Sequence, residues 1–597
     1  MGRPLCFVIL GGDECDPIRV AFQNKGWVEQ QSRTGGGCTV GAEVIWASTR
    51  GLLDKSFSKG DLTPATMVNH FLRGFVLGTK IPLLRSLRTF YEEGGVPPHP
   101  DGPRTLDELL PRSYDLRELH ELETFLDDLA CSQAEAIFQI ASKSPVAANV
   151  AQVKAAVDVL SSLASTGALP CCHAVSGRAA PLFQAEGPTG AAGREQETTI
   201  KWLLVEGQTV ERELAERGGA PHRQRGIGGL QNVWLLKESG KNCGRGVEVW
   251  AHHEALLRSA ASKGWNVLTQ KYIEKPLLAG GRKFDLRVWV VVTSWNPLQV
   301  WVHDQPYARL SKKVFSSAPE AWTDTSMHLT NRAVQKVDGE EENAGPRHSD
   351  EPWIWLLPKL IGSGGAIPGA KWKEKVWPSI VGGIAAVAAA VQQDLAFEPE
   401  GGPARLELFG FDFIMDASYH PWFLEANSAP DMCPDAGPSL RNWVQDACHG
   451  IADIIEATRA GTGLEETGHW QRTIASPKLS THMLKAASVQ RTVERRRLAS
   501  LLAPSRSYTD AVDRFNPAWG RRGLYKTPAP AAPPAGPPVG PLWYGPPPIA
   551  PLRSSSACSA QDSGRRRARQ KLRAKPPVAQ RALTGPVRRP RVGLPPL

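Results

Sequence analysis

At 597 residues with a hydrophobic fraction of 41%, the chain is long enough for about two to four domains with sizeable cores. No apolar run approaches the ~20 residues of a bilayer span; the longest, 380–391, is rich in small residues and reads as a packed helix, so no membrane is expected. The formal net charge of +10 sits at one end: residues 553–597 hold twelve Lys/Arg against the single acid Asp562, leaving the other 552 residues one charge short of neutral. With the basicity confined to a tail, a nucleic-acid partner is not expected either.

Ten cysteines form no C-x-x-C pair and no cluster with histidine, which argues against zinc and a disulfide framework and for a reduced compartment. The apolar patch 5–10 is too short for a signal peptide, and Cys6 stands where a myristoylation motif needs Ser or Thr.

In chain order, residues 1–45 read as strand, helix and strand (6–10, 17–24, 26–29), with a turn at Gly35–Gly37 that lacks the G-x-x-x-x-G-K-S/T form of a phosphate loop. Helical signals follow at 65–73, at 79–91 (bearing Lys80, Arg85 and Arg88), at 118–140 and at 146–165. Between 166 and 199 the composition turns to Gly, Ala, Ser and Pro without a period, predicting a flexible insertion. From 200 the texture is strands and loops. NVWLLK (232–237) is a strand ending in a lysine, ESGKNCGRG (238–246) a polar glycine loop, and 247–250 a strand. A helix at 253–263 leads to the strands NVLTQKYI (266–273), KFDLRVWVVVT (283–293) and 300–309; HLTN (328–331) then precedes a Glu-rich insert at 338–351. Helices fill 372–396 and 440–459, a basic helical stretch covers 476–502, and from 527 Pro, Ala, Gly and Arg predict disorder.

Residues 405–431, RLELFGFDFIMDASYHPWFLEANSAPD, read as strands 406–415 and 421–426 joined by a polar turn at 416–420. Alternation places Phe409, Phe411 and Phe413 on one face, while Glu407 and Asp412 interrupt the apolar texture; Glu425 and Asn427 close the second strand. Two carboxylates and an amide carbonyl are hard oxygen ligands of the kind Mg²⁺ takes beside water and phosphate. Taken alone, the stretch reads equally well as a half-exposed hairpin with solvated acids.

The succession strand-lysine, glycine loop, hinge strand, K-x-D-x-R strand and carboxylate hairpin resembles the nucleotide site of an ATP-grasp enzyme. More closely, NVWLLK, QKYIEKPLL, KFDLRVWVVV, HLTN, ELFGFDF and PWFLEANSAP resemble successive blocks of the tubulin–tyrosine ligase-like family, over about 19–459. TSWNPLQVW (293–301), TMVNHFLRG and TKIPLLRSLR resemble its glycylase branch; Glu238-Ser239 departs from the family's common Pro-Gly.

The resemblance implies an α/β (α+β) architecture: an N-terminal α/β domain (1–165), the flexible insertion (166–199) and an ATP-grasp catalytic core (200–460). A helical basic extension (461–526) and a disordered basic Pro-rich tail (527–597) complete it. It also implies ATP and Mg²⁺. Lys80 and Lys237 become cations on the phosphates, with Gly244, Arg245 and Gly246 in the loop closing over them. Gln270, Lys271, Tyr272 and Ile273 become the adenine hinge, Lys283 and Asp285 reach the ribose side and the metal, and Asn331 lies near the phosphates. Arg287 and Arg309 hold the acyl-phosphate and the acceptor carboxylate, and Asp412, Glu425 and Asn427 bind Mg²⁺. His252, His253 and His328 are read as structural.

The activity implied is an ATP-dependent joining of free glycine to glutamate side chains in acidic tubulin tails, through an acyl-phosphate, with Arg287, Arg309, Lys237 and Glu425 as its catalytic residues. Such a protein is expected as a monomer in the cytoplasm and cytoskeleton, on microtubules and the axoneme of cilia or flagella. Two alternatives stand beside it: a polyglutamylase or other amino-acid ligase of the same family, and an inactive microtubule-binding scaffold acting through its basic tail.

Overall fold

The computed structural model describes residues 4–30, 41–57, 62–145, 148–166, 180–183, 194–217, 224–238, 241, 244–335, 353–396, 401–432, 437–476, 478–479 and 508–516. The chain divides into two units, Met1–Ala531 and Ala532–Leu597, and the whole of the second lies outside the described residues. So do the Gly35–Gly37 turn, the 338–351 insert, nearly all of the 476–502 stretch, and the part of the tail from 527 that precedes the second unit.

Four N-terminal strands, β1 (Cys6–Leu10), β2 (Val28–Glu29), β3 (Val44–Ala47) and β4 (Met67–Asn69), pair in parallel with one another. A separate antiparallel sheet of order β5-β8-β6-β7 is built from β5 (Ser113–Asp115), β6 (Trp234–Glu238), β7 (Val247–Trp250) and β8 (Val267–Lys271). The remaining strands are β9 (Leu278–Ala279), β10 (Arg282–Trp295), β11 (Leu298–His303), β12 (Tyr307–Leu310), β13 (Ile354–Leu356), β14 (Ala404–Met415), β15 (Pro421–Ser428), β16 (Glu466–Thr467) and β17 (Trp470–Ala475). They join β1–β4 in one 13-stranded sheet whose main path runs β16-β17-β11-β10-β14-β4-β3-β1-β2. The N-terminal strands are therefore not a closed sheet of their own, because β4 pairs in parallel with β14, Met67 opposite Ala404.

The helices cover the faces that alternation leaves apolar. Helices α1 (Asp16–Asn24), α2 (Phe75–Gly78), α3 (Lys80–Glu92), α4 (Leu119–Lys143), α5 (Trp377–Leu395), α6 (Pro438–Ala460) and α7 (Tyr508–Phe515) are the ones used below. Phe409, Phe411 and Phe413 do share a face, packed with Val288, Val290 and Val292 against Leu83, Leu84 and Leu87 of α3 and Ile380, Ile384 and Val387 of α5. On the opposite face Trp289, Val291, Leu406 and Leu408 meet Phe22 of α1 and Ile451 and Ile455 of α6. Helix α6 stops at Gly461, whose left-handed backbone (φ 66°) closes its C-terminus. One helical run, Gly369–Leu395, is long and apolar enough to cross a membrane by length and composition, yet 72% of that apolar window is buried inside the protein.

Several segments differ from the sequence reading. The single strand expected at 300–309 is two strands, β11 and β12, separated by Asp304–Pro306, since proline cannot donate to a ladder. Arg194–Arg217 is a helix, not the end of a flexible insertion followed by strands; Ile200, Leu203 and Leu204, at helical spacing, are buried with α4. Past Gly461 the chain adds the hairpin β16–β17 to the sheet edge at β11. Helix α7 then buries Val512 and Phe515 against the α4 layer.

Candidate active site

Strand register brings the hairpin acids together. In the β14–β15 ladder Asp412 lies opposite Glu425 and Gly410 opposite Asn427, with a bulge just past Asp412. The Asn427 amide nitrogen stands 3.1 Å from Asp412 Oδ2 and 3.4 Å from Glu425 Oε1. Asp412 is also opposite Arg287 on β10, while Asp285 on β10 is opposite Arg309 on β12.

From this register grows a buried charge network. Arg287 donates to Asp412 through Nε and, at 3.1 Å, through a terminal nitrogen. Arg309 donates to Asp412 at 2.8 Å and to both oxygens of Asp285, each at 2.7 Å. Thr330 donates its hydroxyl to Asp285 as well. Burial alone would raise the Asp412 pKa, but the Arg287 and Arg309 guanidiniums outweigh it and hold the carboxyl below its usual range. Gly410 makes room for this pairing, since a Cβ there would lie 2.9 Å from Arg287 Cδ.

The lysines are placed differently. Lys237, near the end of β6, donates to the side-chain oxygen of Gln270 at 2.6 Å. Lys283 donates to the Tyr272 hydroxyl at 2.9 Å and to the His328 carbonyl at 2.8 Å. Burial lowers Lys237 to about 8, against the pull of Glu425. It lowers Lys283 to about 7, against that of Asp285. Lys80, the first residue of α3, has its ammonium 3.4 Å from Glu425 Oε2 and donates to the Lys241 carbonyl at 3.0 Å.

These groups border one open cleft of about 740 Å³. It gathers Lys80, Lys237, Gly244, Lys283, Asp285, Asn331, Asp412 and Glu425 with the hinge residues Gln270, Lys271, Tyr272 and Ile273. Asn427 faces an adjoining recess beside Lys80 and Glu425, and Arg287 and Arg309 lie buried behind the two aspartates. Gly244 and Gly246 have φ of 76° and 69°, left-handed geometry that favours glycine. A Cβ on Gly244 would stand 2.9 Å from Asn331 Oδ1, so the loop closes against HLTN. Arg245 is exposed at the rim; Ser239, Gly240, Asn242 and Cys243 of the loop lie outside the described residues.

The two polar hinge side chains leave β8 in opposite directions. Successive strand residues face opposite ways: Gln270 turns to Lys237 and Ser113, whereas Lys271 turns away to the Val233 carbonyl and Glu274, at 2.9 and 2.6 Å. His328, expected to be structural, is buried with its ring stacked on Trp322 and its Nδ1 2.9 Å from the Tyr272 hydroxyl, yet it also lines the cleft. Ile414, Leu424, Leu329 and Val247 supply apolar walls that the sequence reading did not single out; hairpin alternation, with Ile414 two residues beyond Asp412, was the available signal for the first.

The donor set suits a hard divalent cation. Among the described residues no group of three or more His, Cys, Asp or Glu could hold a metal ion; the set here is two carboxylates and an amide. In this geometry Asp412 Oδ2 takes three donors and Oδ1 only one, so Oδ1 keeps a lone pair. A half-turn of the Asn427 amide would present oxygen where nitrogen now faces both acids.

Residues 203–446 match the Tubulin-tyrosine ligase family. Over that region the chain is similar to the tubulin–tyrosine ligase-like family. Similarity extends to proteins named as glycylases: human protein monoglycylase TTLL8 is 28% identical over 437 residues, 66% of this chain and 49% of that protein. Mouse tubulin monoglycylase TTLL3 is 26% identical over 455 residues, 69% of this chain and 46% of its own length. Tubulin glycylase 3C of Tetrahymena thermophila is 29% identical over 270 residues, 44% and 24% of the two chains. The chain thus spans about half or less of the length of these family members.

Proposed function

We propose that this protein is an ATP-dependent ligase that attaches glycine to glutamate side chains of tubulin tails. One observation carries the reading: Lys80, Lys237, Asp412, Glu425 and Asn427, drawn from three distant parts of the sequence, converge around one cleft. Two cations with two acids and an amide suit the binding of a magnesium triphosphate.

In this reading Asp412, Glu425 and Asn427 hold the metal, while Lys80, Lys237 and Lys283 neutralise phosphate charge and the Gly244–Gly246 turn closes over it. Mg·ATP held there would supply the γ-phosphoryl group: the acceptor carboxylate oxygen bonds to phosphorus as the bond to the β-phosphate oxygen breaks, giving an acyl-phosphate and ADP. The glycine amine then attacks the acyl carbon, its nitrogen losing a proton as the C–N bond forms and inorganic phosphate leaves with the C–O electron pair. Arg287 and Arg309, each a planar fork of donors, order the acidic groups around that carbon, and no protein nucleophile is required. The acceptor's acidity makes the basic tail a long-range attractor, and action in the cytoplasm, on the cytoskeleton and in cilia follows from such an acceptor. The division at 165 and 460 is kept as the proposed domain map, with the boundary at 199 moved ahead of the helix Arg194–Arg217.

The test is incubation of the full chain with tubulin, Mg·ATP and either labelled glycine or labelled glutamate. ATP-dependent incorporation of glycine alone is expected. Glutamate incorporation would make it a polyglutamylase, and incorporation of neither would leave a tubulin-binding scaffold.

A further inference from the structure

One buried carboxylate has no part in the site described so far. Glu407 lies on the phenylalanine face of β14, opposite to Asp412, and is only 2% exposed. A carboxylate so placed is costly unless its oxygens are satisfied, and they are. Oε1 lies 3.0 Å from His70 Nδ1, and Oε2 accepts from the Phe71 backbone N–H at 3.0 Å.

What these contacts hold is a strained turn. His70 has a left-handed backbone, φ 77°, a conformation that disfavours a residue with a Cβ. Its Nε2 faces the Ala47 carbonyl at 3.0 Å, and Asn69 bonds both backbone groups of Ala47 at 2.7 Å. Four residues on, a Cβ on Gly74 would lie 2.4 Å from Glu407 Oε2 and would displace the carboxylate. From this turn α2 runs directly to Gly78, seated against Ser428 at the end of β15, where a Cβ would meet the hydroxyl at 2.7 Å. Two residues later comes Lys80, beside Glu425.

We infer that Glu407 is a positioning residue: through His70 and the Phe71 amide it fixes the turn that delivers Lys80 to the Glu425 side of the cleft. This rests on the nucleotide site proposed above. Ten residues separate the held turn from the lysine, and Glu407 and Ser428 hold that stretch from β14 and β15, the two strands that present the metal donors. The lysine and the acids thereby share one frame.

The experiment is a double-mutant cycle on Mg·ATP affinity, read by titration calorimetry on the full chain, with Glu407→Gln, Lys80→Ala and the pair. Glutamine keeps the acceptor for Phe71 and loses the charge facing His70. Glu407→Gln is expected to weaken binding about tenfold in the natural background and less than about twofold once Lys80 is alanine, because the group it places has gone. An equal loss in both backgrounds, or no loss in either, overturns the inference. Should Glu407→Gln not fold, His70→Gln takes its place in the cycle, and the same pattern of losses supports or overturns the inference. Failure of the site reading looks different: the natural protein then binds no Mg·ATP, or Lys80→Ala leaves its affinity unchanged.

Discussion

The cleft joins two polar regions that treat charge in opposite ways. Across β10, β12 and β14, Asp285, Asp412, Arg287 and Arg309 neutralise one another in the folded chain. On β6 and the start of β10, Lys237 and Lys283 donate to neutral oxygens, the Gln270 amide, the Tyr272 hydroxyl and the His328 carbonyl, with Glu425 and Asp285 acting on them only from farther off. The first region balances its charges without a ligand and leaves one oxygen of Asp412 with a spare lone pair. The second holds cations at a desolvation cost that an incoming anion would relieve, and the difference separates framework from binding surface.

The largest effect is expected where metal and framework meet. Glu425→Gln removes one charged donor and should lower ATP-dependent tubulin modification by roughly a thousandfold or more, on the scale of losing a transition-state charge stabiliser, with the denaturation midpoint unchanged. Unaltered turnover would remove Glu425 from the metal site. Next, Arg309→Met leaves two buried aspartates short of a partner and should cost about 3–5 kcal/mol of stability, read by urea denaturation.

The opposite is expected of the lysines. Lys283→Met removes a buried cation that no acid contacts directly. It should leave stability equal or higher while weakening Mg·ATP binding by roughly ten- to a hundredfold, as functional residues held at a cost to stability do. A stability loss matching that of Arg309→Met would erase the distinction between the regions.

A smaller effect is the pH dependence. Lys283 and Lys237, lowered to about 7 and about 8, are charged below those values and neutral above. Mg·ATP affinity should therefore fall severalfold as pH rises from about 6.5 to 8.5, and Lys283→Met should lack the lower limb. Stability without nucleotide should move the other way. Folded pKa values below the unfolded lysine value mean that the unfolded chain binds more protons, so these two groups add stability as pH rises from about 7 towards 10. The smallest effect is expected from deleting 553–597, which should weaken tubulin binding modestly and more at low salt than at high. Equal loss at both would rule out an electrostatic tether.

The hairpin was legible because its evidence is local. Acids interrupting an alternating Phe409–Phe413 pattern, with Glu425 and Asn427 two apart, place the donors once the strands pair. The hinge was less so, because where Gln270 points depends on β6, whose Lys237 is 33 residues away, and no local period encodes that register. Glu407 stood out as an acid in an apolar strand, but its partner His70 is 337 residues earlier. Helix Arg194–Arg217 was masked by the unpatterned stretch before it, although Ile200, Leu203 and Leu204 carried the period. β16–β17 is short, and only its pairing with β11 makes it a strand.

The parallel contact of β4 with β14 bears on how the molecule is made. Residues 67–69 leave the ribosome more than 300 residues before Ala404–Leu406, their partners, exist. For that interval the growing chain carries a bare row of amides and carbonyls, a template for wrong pairings. A chain deprived of its first seventy residues would strand the complementary row on β14 permanently, and edge-to-edge aggregation of such a fragment is the consequence.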